Sequence, residues 1–117
     1  MKKCLFRYGN HNINNLFDSH PSKINFHEQW IALKNKLYDL GIDLVSKENF
    51  SLKSPDLEIH LNVWKTEDNK WPKFAILTET DFIHPNNSDM DLLKKYNHLF
   101  SWNPILVDIG LATKIQF

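Results

Sequence analysis

The sequence predicts an α/β fold of the Rossmann-like kind, with a mostly parallel sheet flanked by helices. Three observations carry that prediction. A helix-patterned stretch over 25–40 is closed by Gly41 and followed at once by the apolar run Ile42 to Val45, the descending half of a βαβ unit. Leu57, Ile59, Leu61 and Val63 alternate with Glu58, His60, Asn62 and Trp64, which is the period-two signature of a strand. The apolar run Phe74 to Leu77 then breaks through Thr78 into Glu79 and a polar loop. In open α/β sheets the ligand crevice lies beyond strand ends of this kind.

Each element follows from local chemistry. Lys3 to Tyr8 is a short apolar-rich strand that closes on the Gly9-Asn10 turn. Asn10 to Asn25, rich in Asn, Ser and His, is a long loop, either a functional segment or a solvated connection. Asn25 caps the first helix and Glu28 completes a capping box, while Trp30, Leu33, Leu37 and Leu40 share its apolar face. Gly41 stops that helix in the left-handed conformation of a C′ residue, and Ile42 to Val45 is the second strand. Ser46 to Asp56 is polar, with Pro55 at its exit.

The alternating strand, Leu57 to Trp64, is expected to pack one face and leave the other, which carries His60, wetter, with a His60 covered by a helix and bonded to backbone the preferred reading of that side chain. A charged turn, Thr66 to Pro72, leads into the strand Phe74 to Thr78. Ser88 is expected to open a short helix, with Asp89 and Asp91 at the positive end of its dipole. Met90, Leu93 and Tyr96 or Asn97 form its inner stripe. His98 to Trp102 reads as a strand halted by Asn103-Pro104. Ile105 to Leu111 is a turn or short helix, and Ala112 to Phe117 a last strand. That strand runs to the end of the sequence; a domain ending on a strand often continues in another body, the alternative being a natural C-terminal edge strand.

Composition sets the bounds. A chain of 117 residues with 42% apolar content makes a single domain, 1–117, with a real core. Fourteen basic and fourteen acidic residues cancel, which removes any bulk attraction to nucleic acid or a membrane surface. Cys4 is alone, so no internal disulfide forms, and a reducing compartment is the simplest setting. No apolar run reaches the roughly 20 residues of a membrane span, and Arg7 interrupts the N-terminal apolar stretch before it makes a secretory signal. A cytoplasmic location without a transmembrane segment is the expectation.

Several residues are candidates for chemistry. Glu79 stands where a strand end meets a substrate, or caps a turn, or pairs with Lys73. Asn10 and His11, in the turn after the first strand, are placed to approach a substrate, although the turn lacks the glycine-rich phosphate fingerprint. His84 and Asn86 flank Pro85 in the loop after Glu79; His84 either binds a hydroxyl or a phosphate or is an ordinary loop histidine. The spacings of His11, His20 and His27 match no metal-site pattern, so no metal is expected. Trp64, Trp71 and Trp102 either stack on sugar rings or pack, and packing is the expectation for Trp102 within its strand.

Three segments carry a resemblance. These are Asp56-Leu-Glu-Ile-His-Leu-Asn62, then Lys73 through the strand and Glu79 to Pro85, then Tyr96-Asn-His-Leu-Phe-Ser-Trp-Asn103 with the Leu-Val-Asp echo at 106–108. In order and spacing they resemble the N-terminal half of family ten glycosyltransferases, the α-1,3-fucosyltransferases. The likeness spans about 56–117 and is only topological upstream. Thr80-Asp81 and Asn97 depart from the family pattern. The resemblance implies one lobe of a two-lobed GT-B enzyme: the acceptor-side lobe, with a glycan acceptor as partner. A GDP-fucose-like nucleotide sugar would be held by a donor-binding lobe that this chain lacks, in cis or in trans, so this lobe binds no cofactor itself. It makes Glu79 the base that takes the acceptor hydroxyl's proton during inverting transfer. The alternative is a non-catalytic carbohydrate- or protein-binding module of the same fold.

Overall fold

A computed structural model of the chain describes residues 1–8, 28–46, 54–65, 70–80 and 82–115. Within these, β1 (Lys2–Tyr8), β2 (Ile42–Ser46), β3 (Leu57–Leu61), β4 (Lys73–Leu77), β5 (His98–Ser101) and β6 (Ala112–Lys114) form one sheet. Its order is β2-β1-β3-β4-β5-β6, and every neighbouring pair is parallel. Helices α1 (Glu28–Asp39), α2 (Met90–Leu93) and α3 (Pro104–Asp108) flank it, and a 3₁₀ turn spans Pro85–Ser88. This is the expected α/β Rossmann-like architecture.

Each face of the sheet has its own core. Cys4, Phe6, Leu44 and Leu61 point to one side, where Trp30, Leu33 and Leu37 of α1 cover them. Ala75, Leu77, Leu99 and Ala112 point to the other and meet Leu93 of α2, Tyr96 just after it and Leu106 of α3. A fully buried Leu44 or Leu99 contributes about 2 kcal/mol by leaving water. Gly41 has a φ of +87° and stops α1, which its missing Cβ makes inexpensive. Leu40, assigned to the inner stripe of α1, is 68% exposed because the helix has ended at Asp39.

The alternating strand is shorter than its pattern. Asn62 adopts a φ of +64°, so β3 ends at Leu61 and the chain turns. Val63 therefore leaves the face of Leu57, Ile59 and Leu61 and joins the opposite core. The expectation of a wetter face is overturned, while the expected cover over His60 is present: Glu58 and His60 are each 1% exposed, more deeply buried than Leu57 or Ile59, although the ring bonds to the Glu58 and Tyr96 side chains rather than to backbone. Both faces of a parallel sheet lie under cover, so alternation here separates two interiors rather than inside from outside.

Asp89, not Ser88, caps α2, its carboxylate accepting from the N–H groups of Asp91 and Leu92. Met90 is 39% exposed, and the inner stripe is Leu93 and Tyr96. Among the described residues no helix is long and apolar enough to cross a membrane.

Candidate functional site

The strand order reverses direction between β1 and β3, since β2 lies on one side of β1 and β3 on the other. The carboxyl ends of the strands share one edge of the sheet, where such folds bind ligands. Asn10 and His11 follow β1 but lie outside the described residues. What the structure describes at this edge is built around the ends of β3 and β4.

Asn62 is the hub. Its left-handed backbone aims its side-chain carbonyl at the end of β4, where Oδ1 accepts from the N–H of Thr78 at 2.8 Å and of Glu79 at 3.1 Å. The same oxygen accepts from Asn87 Nδ2 at 2.9 Å, while Asn62 Nδ2 donates to Thr78 Oγ1 at 3.1 Å. Asn87, 4% exposed, completes the clasp: its Oδ1 accepts from the Val63 N–H and its Nδ2 donates to the Glu79 carbonyl, both at 2.9 Å. Both peptide groups of Glu79 are thus held. Its side chain is exposed, and no hydrogen bond or ion pair of its carboxylate occurs among the described residues.

The pairing with Lys73 does not form. Lys73 opens β4 and Glu79 follows its end, six residues of extended chain away, or about 20 Å.

His84 and Asn86 fall in the same loop. His84 Nε2 donates to the Val63 carbonyl at 2.6 Å, and the ring stands edge-on to Trp64 at 4.6 Å between centroids. That bond fixes the Nε2–H tautomer of the neutral ring and leaves Nδ1 as its acceptor. Asn86 is half-buried in the 3₁₀ turn, and its backbone carbonyl accepts from the Asp89 N–H at 3.1 Å. Asn87, rather than Asn86, carries the structural load. Sequence reading passed over both Asn62 and Asn87; the only local signal was an asparagine just past the end of a strand, a residue type that tolerates positive φ.

The rim around Glu79 is apolar and open. Phe82 is 93% exposed, Ile83 67%, and Trp102 41%. Trp102 is not packed as expected, because β5 stops at Ser101, whose Oγ accepts from the Asn103 N–H at 3.0 Å and turns the chain.

A second polar assembly lies beneath the sheet. Glu58 Oε2 accepts from His60 Nε2 at 2.8 Å, and Arg7 stands 3.4 Å from Oε1. His60 Nδ1 and the Tyr96 hydroxyl are 2.7 Å apart, and that hydroxyl accepts from the Trp64 N–H at 3.1 Å. Burial opposes charge on Glu58, but the His60 hydrogen bond and the Arg7 guanidinium outweigh it and bring the carboxyl down to about 2. With Glu58 ionised, His60 donates from Nε2, and the Tyr96 hydroxyl stands between His60 Nδ1 at 2.7 Å and the Trp64 carbonyl, to which it donates at 3.3 Å. Burial pushes the Tyr96 phenol up to about 12. These groups brace β1, β3 and the segment after α2.

Among the described residues no three of His, Cys, Asp or Glu gather as metal ligands. His11, His20 and His27 lie outside them. Comparison with protein-family models, with curated proteins and with solved structures finds no match to this chain.

Proposed function

We propose that this chain is the acceptor-side lobe of a fucosyltransferase-like enzyme, in which Glu79 takes the proton from a glycan hydroxyl as the sugar is transferred with inversion. The observation that carries the reading is the posture of Glu79. Its peptide groups are locked by Asn62 and Asn87 while its exposed carboxylate, at the carboxyl edge of the sheet, takes no hydrogen bond or ion pair from the described residues. A base must be held in place at its backbone and left unpaired at its oxygens, within reach of the proton it removes. Phe82 and Trp102 supply exposed aromatic surface at the same rim, suited to the apolar face of a sugar ring. The three-segment resemblance supports the same assignment. A second body carrying the nucleotide sugar would cover the rim and desolvate the carboxylate, which raises its affinity for a proton.

Two measurements test this. Glycan acceptors titrated into the chain should shift NMR resonances of residues 78–87 and of Trp102. With a GDP-fucose-binding lobe supplied, labelled sugar transfer should fall about 10²- to 10⁴-fold in Glu79→Gln, with acceptor binding unchanged. Equal transfer rates remove Glu79 from the mechanism; glycan binding without transfer leaves the non-catalytic module.

A further inference from the structure

At the opposite edge of the sheet, where β4 and β5 begin, the surface opens into a cleft of about 330 Å³. Among the described residues it is lined by Lys70, Trp71, Pro72, Lys73, Lys95 and Asn97, three lysines and no carboxylate. Such a concentration stands out in a chain whose charges otherwise cancel. We propose that this cleft binds the phosphate group of a small phosphorylated molecule.

The floor of the cleft is rigid. Asn97 grips the first residue of β4 from both sides: the Lys73 N–H donates to Asn97 Oδ1 at 2.9 Å, and the Asn97 N–H donates to the Lys73 carbonyl at 2.7 Å. Asn97 Oδ1 is thereby used, so its amide Nδ2 is what this side chain has left to offer, and it is a donor. The Lys73 ammonium rests 5.7 Å from the centre of the Trp71 ring, which orders one wall. Lys70 and Lys95 are exposed and reach the opening from two separate segments. The buried carboxylate on the neighbouring strand, Glu58, already has Arg7 and His60 as partners, so Lys70 and Lys95 are not its counter-charges.

The chemistry of the described lining selects the ligand. The Lys70 and Lys95 ammonium groups and the Asn97 amide NH₂ are all donors, and they match a group that offers several acceptor oxygens and more than one negative charge; Lys73, buried, already donates to the Trp71 carbonyl at 3.5 Å. A volume of this size stands at the lower end of ligand pockets, roughly 300–1,000 Å³, so it exceeds what bare phosphate fills and leaves space for one attached ring. The half-buried Trp71 provides a flat apolar surface for that ring.

The test is a set of separate NMR titrations of the chain with inorganic phosphate, glucose 6-phosphate, AMP and, as a neutral control, glucose. Shifts centred on Lys70, the Trp71 indole, Lys95 and Asn97 are expected with the three phosphates and not with glucose. A Kd of about 1 mM or below is expected for at least one phosphorylated compound. Tighter binding of AMP than of inorganic phosphate assigns the attached ring to Trp71; equal binding limits the site to the phosphate itself. Lys70→Gln combined with Lys95→Gln, both on the surface, should weaken binding at least about tenfold, and raised salt should weaken it further. Absence of shifts with every phosphate, or an unchanged affinity in the double variant with its fold intact, would overturn the proposal.

Discussion

The strongest structural claim concerns Asn62, and replacing it with alanine and with glycine separates its two roles. Removing the side chain leaves three donors without their acceptor: the N–H groups of Thr78 and Glu79 and the amide of Asn87. A buried donor left unpaired costs about 1–3 kcal/mol. These groups lie close to the edge of the sheet, where water enters after truncation, so the lower figure applies and the sum is about 3 kcal/mol. The backbone adds a second cost. At a φ of +64° an alanine Cβ is strained by about 1 kcal/mol, a penalty that glycine escapes. The expected losses are therefore about 4 kcal/mol for Asn62→Ala and about 3 kcal/mol for Asn62→Gly. Urea unfolding followed by tryptophan fluorescence and far-ultraviolet circular dichroism measures both. Losses below about 1 kcal/mol in both variants would refute the hub. Equal losses would refute the strained-backbone part alone.

Two further predictions follow from buried titratable groups. Glu58 is held at about 2 against 4.5 for an ordinary glutamate, so it stabilises the folded chain above its unfolded value and that contribution drains away as pH falls from 4.5 towards 2. Glu58→Gln should be less stable at neutral pH, where the Arg7 guanidinium loses its counter-charge, and should show a flatter acid slope in urea midpoints. Asp43, lowered by its hydrogen bond from Lys3, keeps part of that slope; an unaltered acid profile would count against the network. Burial, with the Glu58 charge adding to it, pushes the Cys4 thiol up to about 12, so no thiolate forms at neutral pH. Labelling of Cys4 by a disulfide reagent should track unfolding and speed up by orders of magnitude in urea. Rapid labelling of the native chain would contradict the placement of β1 in the core.

The order of elements was legible because it depends on local signals: a glycine closing a helix, apolar runs of strand length, a proline and an asparagine starting α3. The exposed carboxylate after β4 was legible for the same reason. The Glu58, His60 and Tyr96 chain was not, since its meaning depends on residues 36 and 51 positions apart in sequence that meet only in the fold. Period-two alternation identified a strand but could not tell solvent from a second interior. Asn62 escaped notice because the pattern of Leu57 to Trp64 continues across it unbroken, and only the backbone dihedral reveals the turn. Met90 and Leu40 were misassigned for a simpler reason: each sits at a helix end, where the stripe has already rotated away or stopped.

The clasp between β3 and β4 has an evolutionary corollary. Its anchors grip main-chain atoms of Glu79 and Val63, and the side chains of Glu79, Thr80, Phe82 and Ile83 take no part in holding the loop among the described residues. Selection is therefore free to exchange Thr80, Phe82 and Ile83 one at a time, trying new specificities around a fixed Glu79 without loosening the clasp.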